Sequence, residues 1–212
     1  MKILAHRGCW NEDIRNNSPK ALRTALELGF GFESDLRDYC GELVISHNIA
    51  DGSCQRAEEI FQWLKEFNDQ YCFAVNIKAD GLKDLLLEGL VRNKIKNYFT
   101  FDMSVPQMVE FCQQGLVCYT RQSEVEPTPI MYREAAGIWI DGFYGDDWIT
   151  QALLKHHILQ GKAVCVVSPE LHKRPHRDFW DQLLRFDINF DKVMLCTDYP
   201  LEAVAAFAGK IS

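Results

Sequence analysis

The sequence has no run of apolar residues long enough to span a bilayer, so no stable membrane insertion is expected. It has no basic leader, apolar core and small-residue cleavage site ahead of its first strand, which begins at once as Met1-Lys2-Ile3-Leu4-Ala5-His6. It has no excess of positive charge. The formal net charge is −7, which repels nucleic-acid backbones but leaves room for a local cationic pocket that takes one phosphate. Eight cysteines are present, yet none forms a C-x-x-C pair, so neither a zinc ribbon nor a thioredoxin motif is written here. No low-complexity segment, Pro/Gly-rich linker or charge block divides the chain. A single domain over residues 1–212 is the simple expectation.

What is present is ordinary globular composition, 47% hydrophobic and 25% charged over 212 residues. Several cysteines sit in apolar runs, such as Cys165 in Ala163-Val164-Cys165-Val166-Val167, where a free thiol behaves as a small hydrophobe. A reducing compartment and a cytoplasmic location are therefore expected.

Short apolar runs alternate with amphipathic stretches, the pattern of an α/β chain whose parallel sheet is wrapped by helices. Strands are expected at residues 2–6, 31–36, 72–78, 98–101, 116–120, 137–141, 163–167 and 192–196, with a short extra strand at 43–46. The main set has the number that a (β/α)₈ TIM barrel needs. Ser18-Pro19 supplies an N-cap and a proline at the first helical position. Ala21, Leu22, Ala25 and Leu26 make one apolar face, and Gly29 stops the helix. Further helices are expected near 56–67, 81–92, 105–113, 147–157, 177–186 and 201–207. Residues 122–131, with two prolines, are weakly helical at best.

Four clusters fall at strand ends, which in such a barrel form the catalytic rim. His6-Arg7-Gly8 joins a group that titrates near neutrality, a forked cation suited to phosphate, and a residue that permits a tight turn. The same tripeptide also reads as a strand ending in a polar turn. Glu33 and Asp35 lie two apart and share a strand face. Paired carboxylates there need a cation: Mg²⁺ or Ca²⁺, or else Arg7, Arg37 or Lys78. His47, in Ser46-His47-Asn48, offers a second acid/base group or is an ordinary surface residue. Asn76 and Lys78 share the inward face of the strand at 72–78. Lys78 can hold a phosphate oxygen and Asn76 can lend its amide oxygen to a metal, or Lys78 pairs with a glutamate.

At this point the ordered set His6-Arg7-Gly8, Asn17-Ser18, Glu33-x-Asp35 and His47-Asn48 resembles the glycerophosphodiester phosphodiesterase signature. Val75-Asn76-Ile77-Lys78 and Thr197-Asp198-Tyr199-Pro200 follow in order and character. The resemblance implies a (β/α)₈ barrel and hydrolysis of a small phosphodiester, most simply a glycerophosphodiester of lipid metabolism. It implies His6 and His47 as acid and base, Glu33 and Asp35 as ligands of a divalent metal, Mg²⁺ or Ca²⁺, and Arg7 and Lys78 as phosphate contacts. Asn76 stands where that family usually has a carboxylate, and Asn48 where it usually has Asp. The segment between His47 and the next helix lacks the family's usual insertion, which leaves a more open mouth.

Arg121, Asp141 and Trp139 lie near later strand ends. Arg121 is a candidate for the leaving-group or phosphate pocket, or else belongs to a structural ion pair. His172 and His176 read as part of a solvated basic loop, and His156 and His157 as cations suited to a helix C-terminus. Three other functions compete: a non-catalytic phosphodiester-binding module, favoured by Asn76; a phosphodiesterase for lipid headgroups or surface polymers, favoured by the open mouth; and a sugar hydrolase using Glu33 and Asp35. The last fits poorly, because residues two apart on one strand do not face each other across a scissile bond.

Overall fold

A computed structural model describes residues 1–211. It resolves into two compact units: Ala5–Cys118, and Met1–Leu4 with the chain from Tyr119 onward. Among the described residues there are ten strands and seven α-helices.

In the Ala5–Cys118 unit, β2 (Gly31–Tyr39) is the hub. It pairs in parallel with β5 (Phe73–Ile77) along Phe32–Leu36, and antiparallel with β3 (Glu42–Ile45) along Leu36–Tyr39. Strand β6 (Tyr98–Phe101) continues the parallel order beside β5. A two-residue strand that the sequence did not announce, β4 (Gln55–Arg56), pairs with β3. The end of β1 (Lys2–His6) also belongs to this unit. Helix α1 (Pro19–Glu27) forms as its sequence dictates. The Ser18 side chain accepts the Ala21 N–H at 3.2 Å, and Ala21, Leu22, Ala25 and Leu26 are buried. Helices α2 (Ala57–Glu66), α3 (Lys83–Asn93) and α4 (Val105–Gln113) complete the unit. Phe73 packs on Phe32 at 5.0 Å and on Phe61 of α2 at 6.5 Å between ring centres. Gly89 of α3 leaves the room that the Phe61 ring fills, since an added Cβ would lie 2.6 Å from it.

The other unit is built on the parallel order β7 (Tyr119–Gln122), β8 (Gly137–Ile140), β9 (Ala163–Val167) and β10 (Val193–Thr197). Strand β7 starts three residues later than expected. Leu116 is tied back to α4 through Phe111, and Cys118 forms only an isolated bridge with Thr100, so the regular ladder begins at Tyr119. Helix α5 (Gln151–Leu159) starts four residues late because Thr150 caps it, accepting the Leu153 N–H at 3.3 Å. Helices α6 (Arg177–Leu184) and α7 (Pro200–Ala206) follow their expected spans closely. Trp180 is buried, with its ring centre 5.7 Å from Phe207 and its N–H donated to the Ser168 hydroxyl at 2.8 Å.

One histidine of α5 departs from its reading as a cation suited to the helix end. His157 is buried, whereas His156 is exposed. Its Nδ1 lies 2.9 Å from the Tyr132 hydroxyl and its Nε2 lies 2.7 Å from Gln122 Oε1. A neutral ring satisfies both contacts, with Nε2–H donating and Nδ1 accepting. Burial, and second the neighbouring His156, push His157 down to about 4 from 6.5. Above pH 6.5 the ring is neutral in both folded and unfolded chains. As pH falls from 6.5 toward 4, only the unfolded ring takes a proton, so stability declines across that window. The loss expected is at most about 3 kcal/mol, read from urea midpoints at pH 7 and pH 4.5. His157→Gln should flatten that difference, and an equal slope in both proteins would remove His157 as its source.

Among the described residues all eight cysteines are free thiols, and no helix is long and apolar enough to cross a membrane.

Candidate active site

The site is built from the ends of β1, β2 and β5, all within the Ala5–Cys118 unit. His6 closes β1, and the chain then turns through two positive-φ residues, Arg7 at 56° and Gly8 at 85°. Glycine is required at position 8 because a Cβ there would lie 2.5 Å from the main chain of α1 at Ala21. The turn is held by Arg7 N–H to the Glu33 carbonyl and by Asn17 N–H to the Arg7 carbonyl, each at 2.9 Å. His6 and Arg7 are thus fixed by main chain before any side chain acts.

Glu33 and Asp35 are buried side by side on one face of β2, at 2% and 0% exposure. His6 Nε2 lies 3.8 Å from Glu33 Oε2. Asp35 is flanked by Arg7 Nε at 3.1 Å and Lys78 Nζ at 3.3 Å. Arg7 and Lys78, both expected as partners for these carboxylates, therefore meet on one of them. Arg37 does not take that role: its guanidinium donates to the His47 carbonyl at 3.4 Å. Burial, and then the charge of Asp35, push the Glu33 carboxyl up to about 7; His6, Arg7 and Lys78 oppose the rise.

Asn76 is the register partner of Asp35 across β2 and β5. Its amide oxygen, Glu33 Oε2 and Asp35 Oδ1 are buried without a hydrogen-bond partner. For Asp35 Oδ1, the contact with Lys78 is a charge contact, not an aligned hydrogen bond. Three such oxygens on one face of the paired strands β2 and β5 fit a hard cation such as Mg²⁺ or Ca²⁺. The donor set is weakly charged, however. Among the described residues no three His, Cys, Asp or Glu side chains converge as a metal-holding group, and the Asn76 oxygen carries no charge.

His47 lies beyond β3 and is exposed, its Nδ1 3.0 Å from Asn48 Oδ1. Together with Arg7, Arg15, Asn17 and Gln55 it lines a cleft of about 600 Å³. Asn17 joins this cluster too, and in the sequence it stands out only as part of a motif. Its amide donates to Asp35 Oδ2 at 2.7 Å and its carbonyl accepts from the Ser34 hydroxyl at 2.7 Å, so it orients the carboxylate between Arg7 and Lys78. A positive φ of 54° at Asn17 explains the residue type, since asparagine tolerates the left-handed region.

In the other unit, Arg121 pairs with Glu126 and lies over the Phe143 ring at 5.4 Å. Trp139 is buried. The loop read as solvated and basic is ordered instead. His172 Nε2 is 2.6 Å from Asp141 Oδ1, while His176 packs on Trp180 and Tyr199 at 4.3 and 5.0 Å between ring centres. Glu170, not singled out in the sequence, accepts from the hydroxyls of Ser168 and Thr197 and from the Asp198 N–H at 3.0 Å. Glu124 accepts three consecutive backbone N–H groups, from Phe143, Tyr144 and Gly145.

No protein-family model matches the chain, and no curated protein does. Solved structures do. A glycerophosphodiester phosphodiesterase from Parabacteroides distasonis superposes with a TM-score of 0.75 at 16% identity, over 98% of this chain and 97% of that one. A phosphodiesterase from Oleispira antarctica, solved with the product sn-glycerol-3-phosphate, gives 0.71 at 13% identity, over 98% and 97%. The chain therefore has the α/β (β/α)₈ fold of these phosphodiesterases.

Proposed function

We propose that this chain is a phosphoric diester hydrolase of the glycerophosphodiester phosphodiesterase type, acting on a small phosphodiester. The observation that carries the reading is the strand-end constellation itself: His6 against Glu33, and Arg7 and Lys78 on either side of Asp35. Arg7 and Lys78 hold two positive charges in place before substrate arrives, so charge building on the phosphoryl group meets fixed donors. His6, with a carboxylate beside its Nε2, and His47, on the wall of the cleft, supply the proton acceptor and donor for nucleophile and leaving alcohol. Glu33, Asp35 and Asn76 would hold a divalent cation, Mg²⁺ or Ca²⁺, which when bound supplies Lewis-acid polarisation of a phosphate oxygen. The assignment of Arg121 to the substrate rests on sequence alone, against its pairing with Glu126. The free thiols support a reducing, cytoplasmic setting.

The test is hydrolysis of a glycerophosphodiester panel and bis(p-nitrophenyl) phosphate with Mg²⁺, Ca²⁺ or chelator. Metal-dependent release of glycerol phosphate is the expected outcome. One observation favours a second reading, a phosphodiester-binding module: Asp35 is already charge-paired and Asn76 is neutral. Ligand binding by folded, metal-supplied protein with no turnover on any diester would favour that module.

A further inference from the structure

Asp35 and Asn76 face the same way across paired strands, and Glu33 lies one pleat earlier on that face. Each presents a buried oxygen with no hydrogen-bond partner, and Asn76 is only 7% exposed. With both carboxylates ionised, the charges around these oxygens are already matched, and His6 lies 3.8 Å from Glu33 besides. Two carboxylates, Glu33 and Asp35, stand against two cations, Arg7 and Lys78, with Arg7 at 3.1 Å and Lys78 at 3.3 Å from Asp35. Asn76 adds no charge. A divalent cation entering alone would leave its own charge uncompensated at a site withdrawn from water, which is costly. A phosphate group entering with it brings both the missing negative charge and the oxygen ligands that hard cations prefer.

We propose that Asn76 makes cation and phosphate binding at this site mutually dependent, each ligand tightening the other and neither binding well by itself. The inference takes from the phosphodiesterase reading only that phosphate is the ligand. Linkage requires the effect to be reciprocal: the factor by which glycerol phosphate tightens Mg²⁺ equals the factor by which Mg²⁺ tightens glycerol phosphate. A carboxylate at position 76 supplies the absent charge from the protein and loosens the dependence.

The test is calorimetric titration of Mg²⁺ into the whole protein, with and without saturating sn-glycerol 3-phosphate, and of sn-glycerol 3-phosphate with and without Mg²⁺. In the wild type each ligand should tighten the other by roughly tenfold or more, within the usual range of coupling between sites. In Asn76→Asp, Mg²⁺ alone should bind about tenfold more tightly than to the wild type, and the mutual effect should shrink to about threefold or less. Wild-type Mg²⁺ affinity indifferent to glycerol phosphate overturns the inference, as does the absence of binding in every mixture. Should Asn76→Asp fail to fold, the wild-type titrations decide alone. Coupled binding with no turnover on any diester would sustain the inference while removing the hydrolase reading. Turnover with uncoupled binding would do the reverse.

Discussion

His6→Ala should lower kcat on a glycerophosphodiester by roughly 10²–10⁴-fold while leaving the fold intact, the usual worth of a positioned acid or base. The side chain ends β1, is 17% exposed, and has Glu33 Oε2 at 3.8 Å as its carboxylate neighbour. Its removal takes away the proposed proton-transfer group without disturbing the Arg7–Gly8 turn, which is tied through the main chain. His47→Ala should fall in the same direction. The measurement is steady-state turnover under the best metal condition, with circular dichroism to show that each variant is folded. Near wild-type turnover in both variants would end the assignment of these two histidines.

Asp35→Asn is expected to damage both stability and rate. The carboxylate is fully buried and balances Arg7 and Lys78, whose side chains keep 23% and 20% exposure. Removing the charge leaves Arg7 and Lys78 against a neutral amide with only Glu33 to offset them, and partial solvent access moderates the penalty to about 2–4 kcal/mol. The Asn17 amide also loses the charged partner that it holds at 2.7 Å. With Arg7 and Lys78 no longer oriented, turnover should drop by about 10²–10³-fold. Urea midpoints and kcat on the same preparation check the two effects together. An unchanged midpoint would mean that Arg7 and Lys78 are balanced by something other than Asp35.

The strand-end residues were legible because their signals are local. Period two placed Glu33 with Asp35 and Asn76 with Lys78, and Ser18-Pro19 announced α1. Gly8 could be read as a tight turn, but its packing against Ala21 is a contact 13 residues away, which no local pattern carries. The same limit hid Asn17 as the group orienting Asp35, and Glu170 as the acceptor of Ser168 and Thr197. Neighbouring charges misled the reading of His157 and of His172 with His176. Two adjacent histidines at a helix end look like cations suited to the dipole, and a loop with Lys173 and Arg174 looks solvated and basic. Each of these rings has instead found a partner distant in sequence: Gln122, Asp141 and Tyr199. Strand β4, two residues long, is too short to show periodicity.

The Glu124 carboxylate grips the loop after β8 by three successive main-chain N–H groups, and such a grip is blind to side-chain identity. Tyr144 in that loop is 80% exposed, and Gly145 has open space where a Cβ would go. The loop's course is thereby separated from its lettering. Tyr144 and Gly145 can be rewritten, by evolution or by a designer, to present new chemistry on a segment whose path is already set by a carboxylate elsewhere.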